Sequence, residues 1–121
     1  MKINDYKELR IWQKGIEIVD KTYLITKQFP ASEQYCLSSQ MQRSSISIPS
    51  NIAEGFARQY PKEYVHFLYI SLGSCAELDT QLLISHKRNY IQNEIYNGLA
   101  QDINHEMKML STVIKNFKIN H

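Results

Sequence analysis

The run Q-M-Q-R-S-S-I-S-I-P-S-N-I-A-E-G, from Gln40 to Gly55, decides how the chain folds. Its polar and apolar residues recur at helical spacing, although a proline stands in the middle and a glycine at the end. Successive residues on an α-helix advance by about 100°. Gln40, Arg43, Ser47, Asn51, Glu54 and Arg58 therefore fall on one line, spread over roughly 80°. Leu37, Met41, Ser45, Ile46, Ile48, Ile52, Ala53 and Phe56 fill an arc of about 200° on the other side. A helix covering one side of a small bundle needs a narrower stripe, so the surplus points to assembly. Inside a helix, Pro49 removes one amide and leaves the Ser45 carbonyl without its partner. The stripes keep their phase across it. One helix kinked at Pro49 is therefore favoured over a break at Ile48 with a new helix opening at the proline. The hydroxyls of Ser44, Ser45, Ser47 and Ser50 are at hand for backbone groups freed by a kink.

The neighbouring segments read the same way. Asp5 and Glu8 have capping-box spacing, which predicts a first helix from there to about Gln28, stopped by Phe29-Pro30. Leu9, Trp12, Ile16, Val19 and Tyr23 form one apolar line, and Ile11, Gly15, Ile18, Thr22 and Ile25 a second beside it. Ser32 is the expected N-cap of the second helix, which extends to about Gln59. Pro61 suits the first position of a third helix running to about Arg88. On that helix Tyr64, Val65, Phe67, Leu68, Leu72, Cys75, Leu78, Leu82 and Leu83 make another wide arc, opposite Gly73, Ser74, Glu77, Gln81 and Arg88. Asp79 falls among the leucines, which predicts a place at a subunit contact or a cation partner, Arg43 being one candidate. The fourth helix, Asn93 to Lys118, has a single apolar face of about 120° from Ile95 to Phe117, with polar residues elsewhere. Four such helices with short links predict an all-α, antiparallel up-down-up-down four-helix bundle, one domain over residues 1–121.

Composition narrows the possibilities. The chain has 121 residues, 43% hydrophobic, with 14 basic against 12 acidic residues and a net charge of +2. That charge is too small to announce a nucleic-acid protein by itself. Only 4 Gly and 3 Pro leave little material for the turns of an all-β fold. Cys36 and Cys75, far apart in helical surroundings, read as two reduced, core-filling thiols rather than a disulfide. The charged start lacks the apolar core of a signal peptide, and no run reaches the ~18 apolar residues of a membrane span. A cytoplasmic protein is expected.

Chemistry-bearing motifs are scarce. His105-Glu106 is not followed by the second histidine of a zinc-protease helix, and no Cys-x-x-Cys pair occurs. There is no glycine-rich phosphate loop and no G-x-S-x-G elbow, so no metal, cofactor or catalytic residue is expected. The line Gln40, Arg43, Ser47, Asn51 and Glu54, with Glu77 and Asp79, reads as a polar network fixing register and assembly rather than a ligand strip. Arg10, Lys14 and Lys21 on helix one, and Lys108, Lys115 and Lys118 on helix four, could contact phosphates. Glu17, at i,i+4 spacing to Lys21, partly cancels the first set, and solvated faces are the plainer reading.

The run Phe29-Pro30, Glu33, Gln40, Arg43, Ser47-Ile48-Pro49-Ser50-Asn51-Ile52-Ala53-Glu54-Gly55, then Gly73-Ser74 and Glu77-Leu78, closely resembles the bacterial four-helix bundle family. That family includes proteins encoded in intervening sequences of 23S ribosomal RNA genes. The accessory variability determinant of diversity-generating retroelements is similar. The likeness extends from Leu9-x-x-Trp12-Gln13-Lys14 to the last helix. It implies an all-α bundle commonly assembled as a pentameric ring. In the retroelement branch it also implies binding to a reverse transcriptase and to nucleic acid through a basic surface. The function expected on these grounds is a non-catalytic homo-oligomeric adaptor that binds RNA or a reverse-transcriptase-like, RNA-handling protein. The alternative is a purely structural protein–protein scaffold.

Overall fold

Asp5 does not open the first α-helix. In the computed structural model, which describes residues 4–120, its carboxylate accepts from the Lys7 N–H at 2.9 Å and starts a 3-10 turn, Tyr6–Glu8. Leu9 is extended at φ −73° and ψ 130°, so the α-helix begins one residue later as α1 (Arg10–Thr26). The link after it carries a second 3-10 turn, Ala31–Glu33, and α2 spans Leu37–Ala57. Ser32 is therefore not the cap. The nearest side-chain substitute is Glu33, whose Oε1 accepts from the Leu37 N–H at 3.4 Å. Helices α3 (Pro61–Lys87) and α4 (Asn93–Asn120) start where proline chemistry and apolar phase place them. No strand occurs among the described residues, and the fold is all-α.

Helix α2 continues through Pro49 without a break. Two groups outside the expected serines serve the backbone around it. Ser71 of α3 donates its hydroxyl to the Ile48 carbonyl at 2.7 Å, and Asn51 donates its amide to the Ser47 carbonyl at 2.8 Å. Of the serines, Ser45 bonds the Gln42 carbonyl. The ring of Pro49 meets α1 at Gly15, where an added Cβ would lie 3.2 Å from the Pro49 Cβ. A glycine on one helix thus admits the proline of the next.

Contacts between neighbours run in opposite order along the chain. Met41, Ile48 and Gly55 of α2 face Ser85, Ser71 and Tyr64 of α3. Tyr64 of α3 packs edge-on against Phe117 of α4 at 5.0 Å, and His86 stacks on Tyr96 at 4.2 Å. Lys14 and Lys21 of α1 reach Asp102 of α4, which closes the set of four. The core between them holds Ile18, Met41, Ile48, Ile52, Leu68, Leu78, Leu82, Ile103 and Leu110 with no exposed surface. Each such side chain contributes roughly 1.5–3 kcal/mol by leaving water.

The interior departs from the apolar arcs read off the sequence at six places. Gln81 and Ser74, expected on the solvent side of α3, are buried, and Leu83, expected in the core arc, is exposed. The buried line is 64, 68, 71, 75, 78, 82, 85, with Ser71 and Ser85 satisfied by carbonyls at 2.7 and 2.9 Å. Asp79 is exposed. Cys36 is exposed as well, while Cys75 is buried, so only one thiol fills the core. Glu106, on the apolar face of α4, has no exposed surface.

Candidate functional site

The polar line of α2 separates into parts. Ser47 is the meeting point: it accepts from the Asn51 amide and the Ser74 hydroxyl, both at 2.8 Å, which fastens α2 to α3. Glu54 pairs with Arg58 at 3.2 Å, and Arg58 pairs in turn with Glu63 at 3.1 Å. Gln40, Arg43, Glu77 and Asp79 are exposed, and no side-chain bond joins them to one another or to other described residues. Arg43 and Asp79 do not meet for a geometric reason. Ser74 marks the side of α3 that faces α2, and Asp79, about 140° further round, lies toward α4. Arg43 and Glu77 are exposed, as are Ile70, Gly73 and Ile84 of α3.

The basic residues also separate. Lys14 and Lys21 are spent within the protein: both grip Asp102, at 2.8 and 2.5 Å, and both approach Glu17, at 2.7 and 3.7 Å. Burial alone would lift the Asp102 carboxyl, but hydrogen bonds and charge from the two ammonium groups outweigh it and hold the pKa below the ordinary 3.8. Lys14 shows the mirror effect: burial pulls it down, and Asp102 and Glu17 together carry it above 10.5. Arg10, Lys108 and Lys115 are exposed and form no ion pair with a described residue. Lys118 donates to the Tyr69 hydroxyl at 2.6 Å and lies 4.9 Å from that ring. Arg10 and Lys108 border one groove, and Lys115 and Lys118 border another on the α3 side of α4.

Two grooves flank the Asp102 latch along the α1–α4 seam. The lower one, 690 Å³, has Leu9, Phe56, Tyr64, Val113 and Phe117 in its walls and Arg10, Lys108 and Glu8 beside them. The upper one, 320 Å³, lies between Leu24 and Ile25 on α1 and Ile95, Gly98 and Leu99 on α4. Beneath the latch is Glu106. Neither of its carboxylate oxygens has a hydrogen-bond partner among the described residues, and the same holds for Oε1 of Gln81. Burial pushes the Glu106 carboxyl up to about 8, opposed by the charge of Lys14. Its neighbour Cys75 rises to about 12, through burial and then the charges of Glu106 and Asp79. Sequence reading passed over Glu106 because its charge assigns it to water. Its spacing from Leu99, Ile103 and Leu110 was the available signal.

Among the described residues no group of three His, Cys, Asp or Glu side chains is placed to hold a metal ion. No described helix is long and apolar enough to cross a membrane.

The family model for the 23S rRNA-intervening sequence protein matches residues 7–112, which include every helix but the last turns of α4. The chain belongs to the 23S rRNA-intervening sequence protein family. Its fold is shared by a crystal structure of a protein with unknown function from the S23 ribosomal protein family of Bacteroides thetaiotaomicron VPI-5482. That structure superimposes with a TM-score of 0.79 at 28% identity, over 87% of this chain and 98% of the other. No curated protein matches the chain significantly.

Proposed function

We propose that this family member is a non-catalytic, homo-oligomeric adaptor that binds RNA, or a protein that handles RNA, in the cytoplasm. The observation that carries the reading is a row of exposed cations along α4, Lys108 bordering one groove with Arg10 and Lys115 bordering another with Lys118. The other helix-one cations, Lys14 and Lys21, are neutralised by Asp102 and Glu17. Arg10, Lys108 and Lys115 by contrast stay exposed without an ion pair among the described residues. Tyr69 shares a groove with Lys115 and Lys118, and Phe117 shares one with Arg10 and Lys108, an arrangement suited to phosphate contact with base or sugar packing alongside. A single patch of this size binds weakly, and repetition around a ring multiplies it.

Support for self-association comes from two unlike apolar surfaces. A groove between α1 and α2 is lined by the half-buried Trp12, Ile16, Val19 and Ala53 and the exposed Ile46, and α3 exposes Ile70 and Ile84. Two different patches on one protomer favour head-to-tail contacts, which close into rings. The resemblance to pentameric relatives suggests five subunits. The same surfaces would serve the second reading, a scaffold without nucleic acid.

Binding of a structured RNA at two salt concentrations separates the two readings. The adaptor should lose affinity steeply as salt rises, and Lys108→Glu with Lys115→Glu should flatten that dependence. A scaffold should bind at neither concentration.

A further inference from the structure

We propose that Glu106 is a proton-operated lock on the α1–α4 seam, keeping the seam closed while protonated and opening it once ionised. The proposal is independent of the adaptor reading. It stands on three observations. Glu106 has no exposed surface and no partner for either oxygen, so the ionised form is unsatisfied where it sits. Open grooves of 690 and 320 Å³ lie on either side of it along the seam, so water can reach the seam on both sides of the ion-pair latch that ties α4 to α1. The latch is the grip of Lys14 and Lys21 on Asp102, and Lys14 is also the cation whose charge acts on Glu106.

The groups around Glu106 leave it no other counter-ion. From α1 the charge is Lys14, and from α3 the titratable neighbour is Cys75, whose thiol stays protonated far above neutral pH. The buried residues of α2 include no titratable side chain. On α4 itself Asp102 is already engaged, and His105 and Lys108 are exposed. An ionised Glu106 therefore has two ways to be stabilised: water entering the seam, or Lys14 leaving Asp102. Both loosen α4 from α1. Buried, the carboxyl is raised to about 8 and keeps its proton at neutral pH; once α4 lifts it returns toward 4.5 and the proton is lost.

The test is amide hydrogen exchange on the full chain from about pH 5.5 to about 7.5, each rate divided by its intrinsic value at that pH. One linked proton raises the open fraction up to about tenfold per pH unit while the closed form holds the proton. Protection in the seam-facing turns of α1 and α4 should then fall by as much as about a hundredfold, with α2 and α3 changing far less. Glu106→Gln should abolish the decline. Glu106→Met, which leaves no polar atom to satisfy, should abolish it too and serves if the glutamine variant folds poorly. Three results would each overturn the lock: no decline in the unmodified chain, the same decline in both variants, or an equal decline across all four helices.

Discussion

Asp102 and Glu106, one turn apart on α4, answer acid in opposite senses. The folded pKa of Asp102 is depressed, so its stabilisation is present above 3.8 and lost as pH falls through the folded value. Glu106 holds its proton to about 8 when folded and releases it near 4.5 when unfolded. Its contribution to stability therefore declines as pH rises across that window, by on the order of 5 kcal/mol in all. Glu106→Met should accordingly gain more melting temperature over the unmodified chain at pH 8 than at pH 5, read by circular dichroism. Asp102→Asn should cost about 1–3 kcal/mol in denaturant titration, because two lysines lose their acceptor. It should also lower the Glu106 pKa, since Lys14 becomes available. An unchanged carboxyl titration, followed by NMR in that variant, would break the link between the two groups. None of this was legible from composition, because a charged residue on an apolar stripe reads as an exception until burial is known. Asp79 misled in the opposite direction: its phase put it among leucines, yet it lies at the solvent edge.

At the scale of elements, phase proved more informative than caps. The stripes across Pro49 gave α2 as one helix, and Pro61 gave the start of α3, because both follow from backbone geometry that no tertiary contact reverses. Asp5 and Ser32 failed as α-helix caps because short 3-10 turns took those residues instead. Gln81 was misplaced for a related reason: amphipathic phase cannot show how far α2 and α3 close over each other. The four glycines divide by their surroundings. A Cβ on Gly55 would stand 2.6 Å from the Phe67 Cβ, so Gly55→Ala should destabilise by about 1–3 kcal/mol in chemical denaturation. Nothing lies within 4 Å of a Cβ on Gly73 or Gly98, so alanine at either should stabilise its helix by about 0.5–1 kcal/mol. If the outer side of α3 is a subunit contact, Gly73→Arg should reduce the assembled mass in light scattering while Gly98→Arg leaves it intact.

For the whole molecule, the sequence carried the all-α class and the family, and the chain matches that family from the first turn to the last helix. Which cations remain unpaired was not legible, because Lys14 and Lys21 lie about eighty residues from Asp102 in sequence and meet it only through the fold. The apolar surplus on helices one to three is reduced by burial but persists in Leu24, Ile46, Ile70, Leu83 and Ile84. Light scattering at micromolar concentration should give a mass several times the 14.2 kDa of one chain. A monomer at that concentration would remove the basis for assembly.

The unequal thiols lend themselves to counting. Cys36 faces water and Cys75 is sealed in the core with its proton held to about 12, so a maleimide dye at neutral pH should attach once per chain without mutagenesis. Each particle would then carry as many fluorophores as it has protomers, and the number of photobleaching steps from single immobilised particles would give the stoichiometry directly.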